Sequence, residues 1–124
     1  MIVVFDLDDT LYDESTYVDS GMHAVARFLA PTLDRPASQV LADLRRVLAR
    51  DGRGAVFDSV LAEHGVVDPG LVDACVVAYR EHVPDIAPYP GVREMLASLA
   101  ATGPFLVTDG EATVQQRKID ALGI

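Results

Sequence analysis

The apolar run Ile2-Val3-Val4-Phe5 stops abruptly at an acidic stretch, Asp6-Leu7-Asp8-Asp9, and a similar run, Phe105-Leu106-Val107-Thr108, comes only near the other end of the chain. Both runs are short, continuously apolar and rich in β-branched or aromatic residues, as are strands buried on both faces of a parallel sheet. Parallel strands cannot be joined by a tight turn and need a crossover, so what lies between decides the architecture. Met22, Val25, Ala26 and Leu29 recur at helical spacing, and this first helix is expected to stop before Pro31. Val40, Leu41, Leu44, Val47 and Leu48 predict a second helix, Val56, Phe57, Val60 and Leu61 a third, and Leu71, Val72, Cys75, Val76 and Tyr79 a fourth. Breaks are expected at 31–36, 51–54 and 65–70, each holding the Gly or Pro that ends a helix or sets a turn. Four helices therefore follow one another without a strand.

The segment Pro84-Asp-Ile-Ala-Pro88-Tyr-Pro90-Gly91 is stiff and extended and reads as a boundary between packing units. Beyond it Val92, Met95, Leu96 and Leu99 predict another amphipathic helix, closed by Gly103-Pro104 before the second strand. A last polar helix is expected from about Glu111 to Leu122, with Gly123 just past its end. Two strands are fewer than an independent sheet generally needs, so a further segment or a partner is expected to complete it.

Composition narrows the function. Half of the 124 residues are hydrophobic (50%) and 23% are charged, which is a globular composition. Nineteen acidic against ten basic residues give a formal net charge of −9, a field that repels nucleic-acid phosphates. No nucleic-acid partner is expected. An anionic small substrate remains compatible with this charge, because a bound cation can dominate the local field. The single cysteine, Cys75, excludes an internal disulfide and is read as core. The absence of a leader-like N-terminus and of a long apolar run leads us to expect a cytoplasmic protein with no membrane partner.

The chemistry is concentrated after the first strand, because ligand sites of open α/β sheets lie beyond the carboxyl ends of the strands. Asp6 and Asp8 stand two apart and share one side of the chain if the extended conformation persists. Two carboxylates so placed repel each other unless a cation, a shared proton or a positive substrate group lies between them. Mg²⁺ suits the position, as a hard cation that takes one or two carboxylates and completes its shell with water and substrate phosphate.

Asp6-Leu-Asp-Asp-Thr-Leu11 after an apolar strand resembles the first motif of the haloacid dehalogenase-like (HAD) hydrolase superfamily, which consists mostly of Mg²⁺-dependent phosphatases. Phe105-Leu-Val-Thr108-Asp109-Gly110 resembles its second motif, and Tyr89-Pro-Gly91 opens the preceding helix as in many members. The resemblance covers the whole chain. It implies a Rossmann-like parallel-sheet α/β core, incomplete here, formed by residues 1–12 and 86–124, with an inserted four-helix cap at 13–85.

The resemblance also implies roles. Asp6 would be the nucleophile that forms an aspartyl-phosphate, and Asp8 the general acid and base. Mg²⁺ would be held by the Asp6 carboxylate and the Asp8 backbone carbonyl. Thr108 and the backbone amide of Asp109 would bind the phosphoryl oxygens; many relatives carry Asn where this chain has Asp109. Asp8 also favours phosphoryl transfer over dehalogenation, since dehalogenase members lack this second aspartate.

The family's lysine and its later acidic motif follow the third strand. Lys118, the only lysine here, is therefore read as a solvated helix-end cation, and the chain as the N-terminal part of a longer enzyme. His23, His64 and His82 show no ligand spacing and are assigned surface or packing roles. Arg45, Arg46, Arg50 and Arg53 are assigned to a solvated helix face, and Tyr12 and Glu14 receive no chemistry. The leading expectation is a Mg²⁺-dependent phosphomonoester hydrolase acting on a small phosphorylated metabolite. Two alternatives stand beside it: a phosphomutase of the same fold, or a catalytically incompetent fragment or non-enzymatic module that self-associates or needs a missing C-terminal segment.

Overall fold

Strands β1 (Val4–Phe5) and β2 (Phe105–Leu106) pair in parallel, with Val4 opposite Phe105 and Phe5 opposite Leu106. The ladder is extended by Phe105 N–H donating to the Val3 carbonyl (2.9 Å) and Val107 N–H to that of Phe5 (2.8 Å). The structure, a computed structural model, describes all 124 residues. Between the strands lie α1 (Glu14–Leu33), α2 (Ala37–Asp51), α3 (Val56–Glu63), α4 (Pro69–Glu81) and α5 (Val92–Ser98), and α6 (Ala112–Leu122) follows β2. The predicted order of a strand, four helices, a fifth helix, a second strand and a last helix is the observed one.

Two expectations need correction. The first helix does not stop before Pro31 but carries it inside its last turn and ends at Leu33. A proline lacks only its own N–H and disturbs the turn before it, so one more turn can follow at modest cost. The chain then leaves the helix through Asp34, whose φ is +51°. The strands are also shorter than their apolar runs, and they are not buried on both faces. Val4 is 55% exposed, Phe105 61% and Val107 62%. A sheet of two strands has no neighbour to cover its outer positions.

The chain divides into two units, Met1–Val18 with Val83–Ile124, and Asp19–His82, the division falling inside α1. In the helical unit, α2 packs on α3 and α3 on α4. Its interior is apolar: Val25, Leu29, Val40, Leu44, Val47, Val60 and Cys75 have no exposed surface. Gly21 lies against the Tyr79 ring, where a Cβ would overlap the ring carbons. That contact explains a glycine inside a helix, which ordinarily costs about 1 kcal/mol relative to alanine. Of the arginines predicted on a solvated face, Arg45, Arg46 and Arg50 do lie half-exposed on α2 with acidic partners, whereas Arg53 lies past the end of the helix. Arg45 donates to both carboxylate oxygens of Asp19 (2.8 and 2.9 Å), Arg46 to Glu63 and Asp43, and Arg50 to Asp51.

In the α/β unit the interior is smaller, built from Leu7, Leu11, Tyr12, Tyr17, Val18, Val92 and Leu122. Tyr89 N–H donates to the Leu11 carbonyl (2.9 Å), which ties the proline-rich segment to the loop after β1. No helix is long and apolar enough to cross a membrane.

Candidate active site

Because β1 and β2 run parallel and in register, the residues that follow them, Asp6 to Asp9 and Thr108 to Gly110, leave the sheet at the same edge. The loop after β1 is closed locally. The Leu7 carbonyl accepts from Thr10 N–H (3.2 Å) and Leu11 N–H (3.0 Å), while the Leu7 side chain is fully buried and pins the loop to the core. Asp9 takes the left-handed conformation (φ +58°), which aspartate tolerates better than most residues. Its carboxylate accepts from Glu14 N–H (2.9 Å) at the start of α1, so Asp9 serves the turn and the helix.

The two remaining aspartates have different surroundings. Asp6 is exposed, and its Oδ2 accepts a long hydrogen bond from the Thr10 hydroxyl (3.3 Å). Asp8 is half-buried and held by three donors. The Tyr12 hydroxyl (2.5 Å) and Lys118 Nζ (2.9 Å) donate to Oδ1, and Gln115 Nε2 (3.1 Å) donates to Oδ2. Burial alone would raise the Asp8 pKa, but the hydrogen bonds from Tyr12, Lys118 and Gln115, with the lysine charge, outweigh it and leave the carboxyl below its ordinary value. Burial, followed by the bond to Asp8, pushes the Tyr12 phenol far up, which keeps it protonated as a donor.

Thr108 follows β2 and is half-exposed, whereas Asp109 is exposed. The Thr108 hydroxyl accepts from Gln115 Nε2 (2.7 Å) and makes only a long contact with the Asp109 carbonyl (3.4 Å). Gly110 has φ +117°, a conformation that L side chains rarely adopt, and a Cβ there would lie 3.4 Å from the Gln115 side chain.

Lys118 is not the solvated helix-end cation that the sequence suggests. It is buried, paired with Asp8, and its Nζ lies 4.3 Å from the centroid of the Tyr17 ring. Tyr12, given no chemistry from sequence, donates to the same carboxylate. Gln115 and Lys118 were legible in one respect. With Leu122 they occupy positions i, i+3 and i+7 of α6, so two polar residues sit on the stripe an amphipathic helix turns inward. A polar group there must find a buried partner.

Residues 1–124 match the hydrolase family described as haloacid dehalogenase-like hydrolase. The chain belongs to this family. It is 31% identical over 129 aligned residues to the glyceraldehyde 3-phosphate phosphatase of Methanocaldococcus jannaschii, covering 98% of this chain and 57% of that protein. It is 33% identical over 131 to the protein of the same name from Methanopyrus kandleri, covering 98% and 56%. The chain thus spans a little over half the length of these curated relatives. Among solved structures, the HAD-hydrolase YfnB from Bacillus subtilis, bound to magnesium, shares the fold with a TM-score of 0.50 at 19% identity, over 98% of this chain and 59% of that one. A haloacid dehalogenase-like family hydrolase from Xanthomonas campestris aligns at 26% identity with a TM-score of 0.48, over 99% and 56%.

The donor set of this haloacid dehalogenase-like chain can be tested against Mg²⁺. An exposed carboxylate at Asp6 and a backbone carbonyl at Asp8 are hard oxygen donors of the type the ion takes, with water and phosphate completing its shell. Both Asp8 carboxylate oxygens are already engaged, and no group of three or more His, Cys, Asp or Glu residues gathers here. The residues therefore fit the ion as a partial ligand set. The repulsion that the sequence left for a cation to relieve is, on Asp8, relieved by Lys118.

Proposed function

We propose that this chain carries the nucleophile and the acid–base group of a Mg²⁺-dependent phosphomonoester hydrolase acting on a small phosphorylated metabolite. The observation that carries this reading is the contrast between the aspartates: Asp6 is exposed and loosely bonded, while Asp8 is fixed by three donors. A nucleophile must be reachable, and a proton-transfer group must be held in place. The names of the curated relatives, phosphatases of a three-carbon sugar phosphate, support the substrate class.

An Asp6 oxygen attacks phosphorus, the bond to the leaving oxygen breaks, and Asp8 delivers a proton to that oxygen. Water, giving its proton to Asp8, then attacks the aspartyl-phosphate, releasing phosphate and restoring the Asp6 carboxylate. Asp8 is held here as the carboxylate, the form that accepts a proton from water. Delivery of a proton in the first half requires the Lys118 pairing to loosen. Thr108 and the Asp109 amide hold the phosphoryl oxygens. Mg²⁺ on the Asp6 carboxylate and the Asp8 carbonyl would supply charge neutralisation between two anions. Residues 13–85 form the helical insertion that selects the substrate, and the exposed outer faces of β1 and β2 are positions for further strands of a completed core.

The test is phosphate release from an aryl phosphate by the full-length protein. Activity is expected with Mg²⁺ and lost with a chelator, and Asp6→Asn is expected to lower the rate by about a thousandfold or more. Full activity in Asp6→Asn would remove the nucleophile assignment.

A further inference from the structure

Gln115 is buried and lies on α6, outside both recognised motifs, yet its side-chain nitrogen touches one residue of each. A primary amide has two N–H donors. Here they are divided between Asp8 Oδ2 (3.1 Å) and Thr108 Oγ1 (2.7 Å). The orientation is fixed by chemistry, because an ionised carboxylate only accepts and the amide oxygen could not face it. The consequence for Thr108 is specific. A hydroxyl has one hydrogen and two acceptor lone pairs, and when a lone pair is held by Gln115 the hydrogen must point elsewhere. Its only other contact is the long one to the Asp109 carbonyl at 3.4 Å, so the hydrogen is left to serve an incoming acceptor.

We infer that Gln115 is a positioning residue that sets two groups at once, holding the Asp8 carboxylate in place and turning the Thr108 hydroxyl into a donor aimed at a phosphoryl oxygen. This rests on the phosphatase reading above. Gly110 lies beside the arrangement: its φ of +117° is one that L side chains rarely adopt, and a Cβ there would stand in ordinary contact with the Gln115 side chain, 3.4 Å away.

The experiment is a double-mutant cycle on the full-length protein with Gln115→Met and Thr108→Val, reading inorganic phosphate affinity by calorimetry and turnover of an aryl and an alkyl phosphate. Gln115→Met is expected to weaken phosphate binding about tenfold in the parent and not at all in the Thr108→Val background. It is also expected to slow the alkyl phosphate about tenfold more than the aryl phosphate, since only the poor leaving group depends on a well-placed Asp8. Gln115→Leu repeats each measurement, and cooperative thermal unfolding identifies which of the two variants is folded. An equal loss of phosphate affinity in both backgrounds, or an equal slowing of both substrates, overturns the inference. A parent protein that turns over both substrates while Gln115→Met matches it overturns the inference alone. A parent that neither binds nor releases phosphate overturns the phosphatase reading and the inference with it.

Discussion

The helical unit, residues 19–82, and the α/β unit around the two strands bury different kinds of group. The helical unit hides mainly aliphatic side chains and keeps its arginine–acid pairs at the surface. The α/β unit leaves Val4, Phe105 and Val107 largely exposed while burying Lys118 and Gln115, two of the three most buried polar residues in the chain. Stability and chemistry are thus unevenly divided. A region that spends buried positions on polar groups gains less from the hydrophobic effect, and those positions are kept where they fix a reacting group. Here both side chains donate to the Asp8 carboxylate.

The comparison is broken most directly by truncating a side chain in each unit. Leu44 has no exposed surface, so Leu44→Ala is expected to destabilise the helical unit by about 2–5 kcal/mol. Phe105→Ala removes a larger side chain that is 61% exposed, and in the 124-residue chain it should cost about 0.5 kcal/mol. Urea unfolding curves measure both. Equal losses would mean that the strand is covered as well as the helical core is. Cys75 gives a second readout, because it is buried and burial pushes its thiol up to about 11. Labelling by a thiol reagent should be slow in the parent and faster in Leu44→Ala, which opens the unit more often.

A smaller effect is expected at Gly21. Gly21→Ala improves the intrinsic helix preference of α1 by about 1 kcal/mol, but its methyl group would enter the Tyr79 ring. Overpacking of this kind costs about 1–3 kcal/mol, so a net loss is expected, and a thermal unfolding midpoint decides the sign. A rise would mean that the ring moves aside freely.

The order of elements was legible because apolar period and Gly/Pro punctuation are local properties of the chain. So was the acidic loop, because Asp6, Asp8 and Asp9 abruptly follow an apolar run. The partners of Asp8 were not, for a physical reason. Lys118 and Gln115 are brought to Asp8 by the parallel pairing of strands distant in sequence, and nothing local distinguishes a paired lysine from a solvated one. Only their place on the inward stripe of α6 signalled it. Tyr12 receives no chemistry from the sequence because it stands just past the motif, where the chain turns away, and the hydroxyl's target appears only once the loop is folded.

The smallest expected effect tests the surface side of the comparison. Asp19 accepts two hydrogen bonds from Arg45, and this, against a burial penalty and with the charges of Arg45 and His23 added, holds its carboxyl below the ordinary 3.8. A folded-state pKa below the unfolded one stabilises the fold above the unfolded value, and the contribution is lost as pH falls through the folded value. Wild type and Arg45→Ala should therefore differ in unfolding midpoint at about pH 6 and converge at about pH 2. The difference should be small, because the two side chains are 51% and 43% exposed and solvent screens the pair. It should shrink further in high salt. A gap that persists at low pH and in salt would show that Arg45 stabilises the helical unit through the packing of its aliphatic stem, making the surface of that unit an extension of its core.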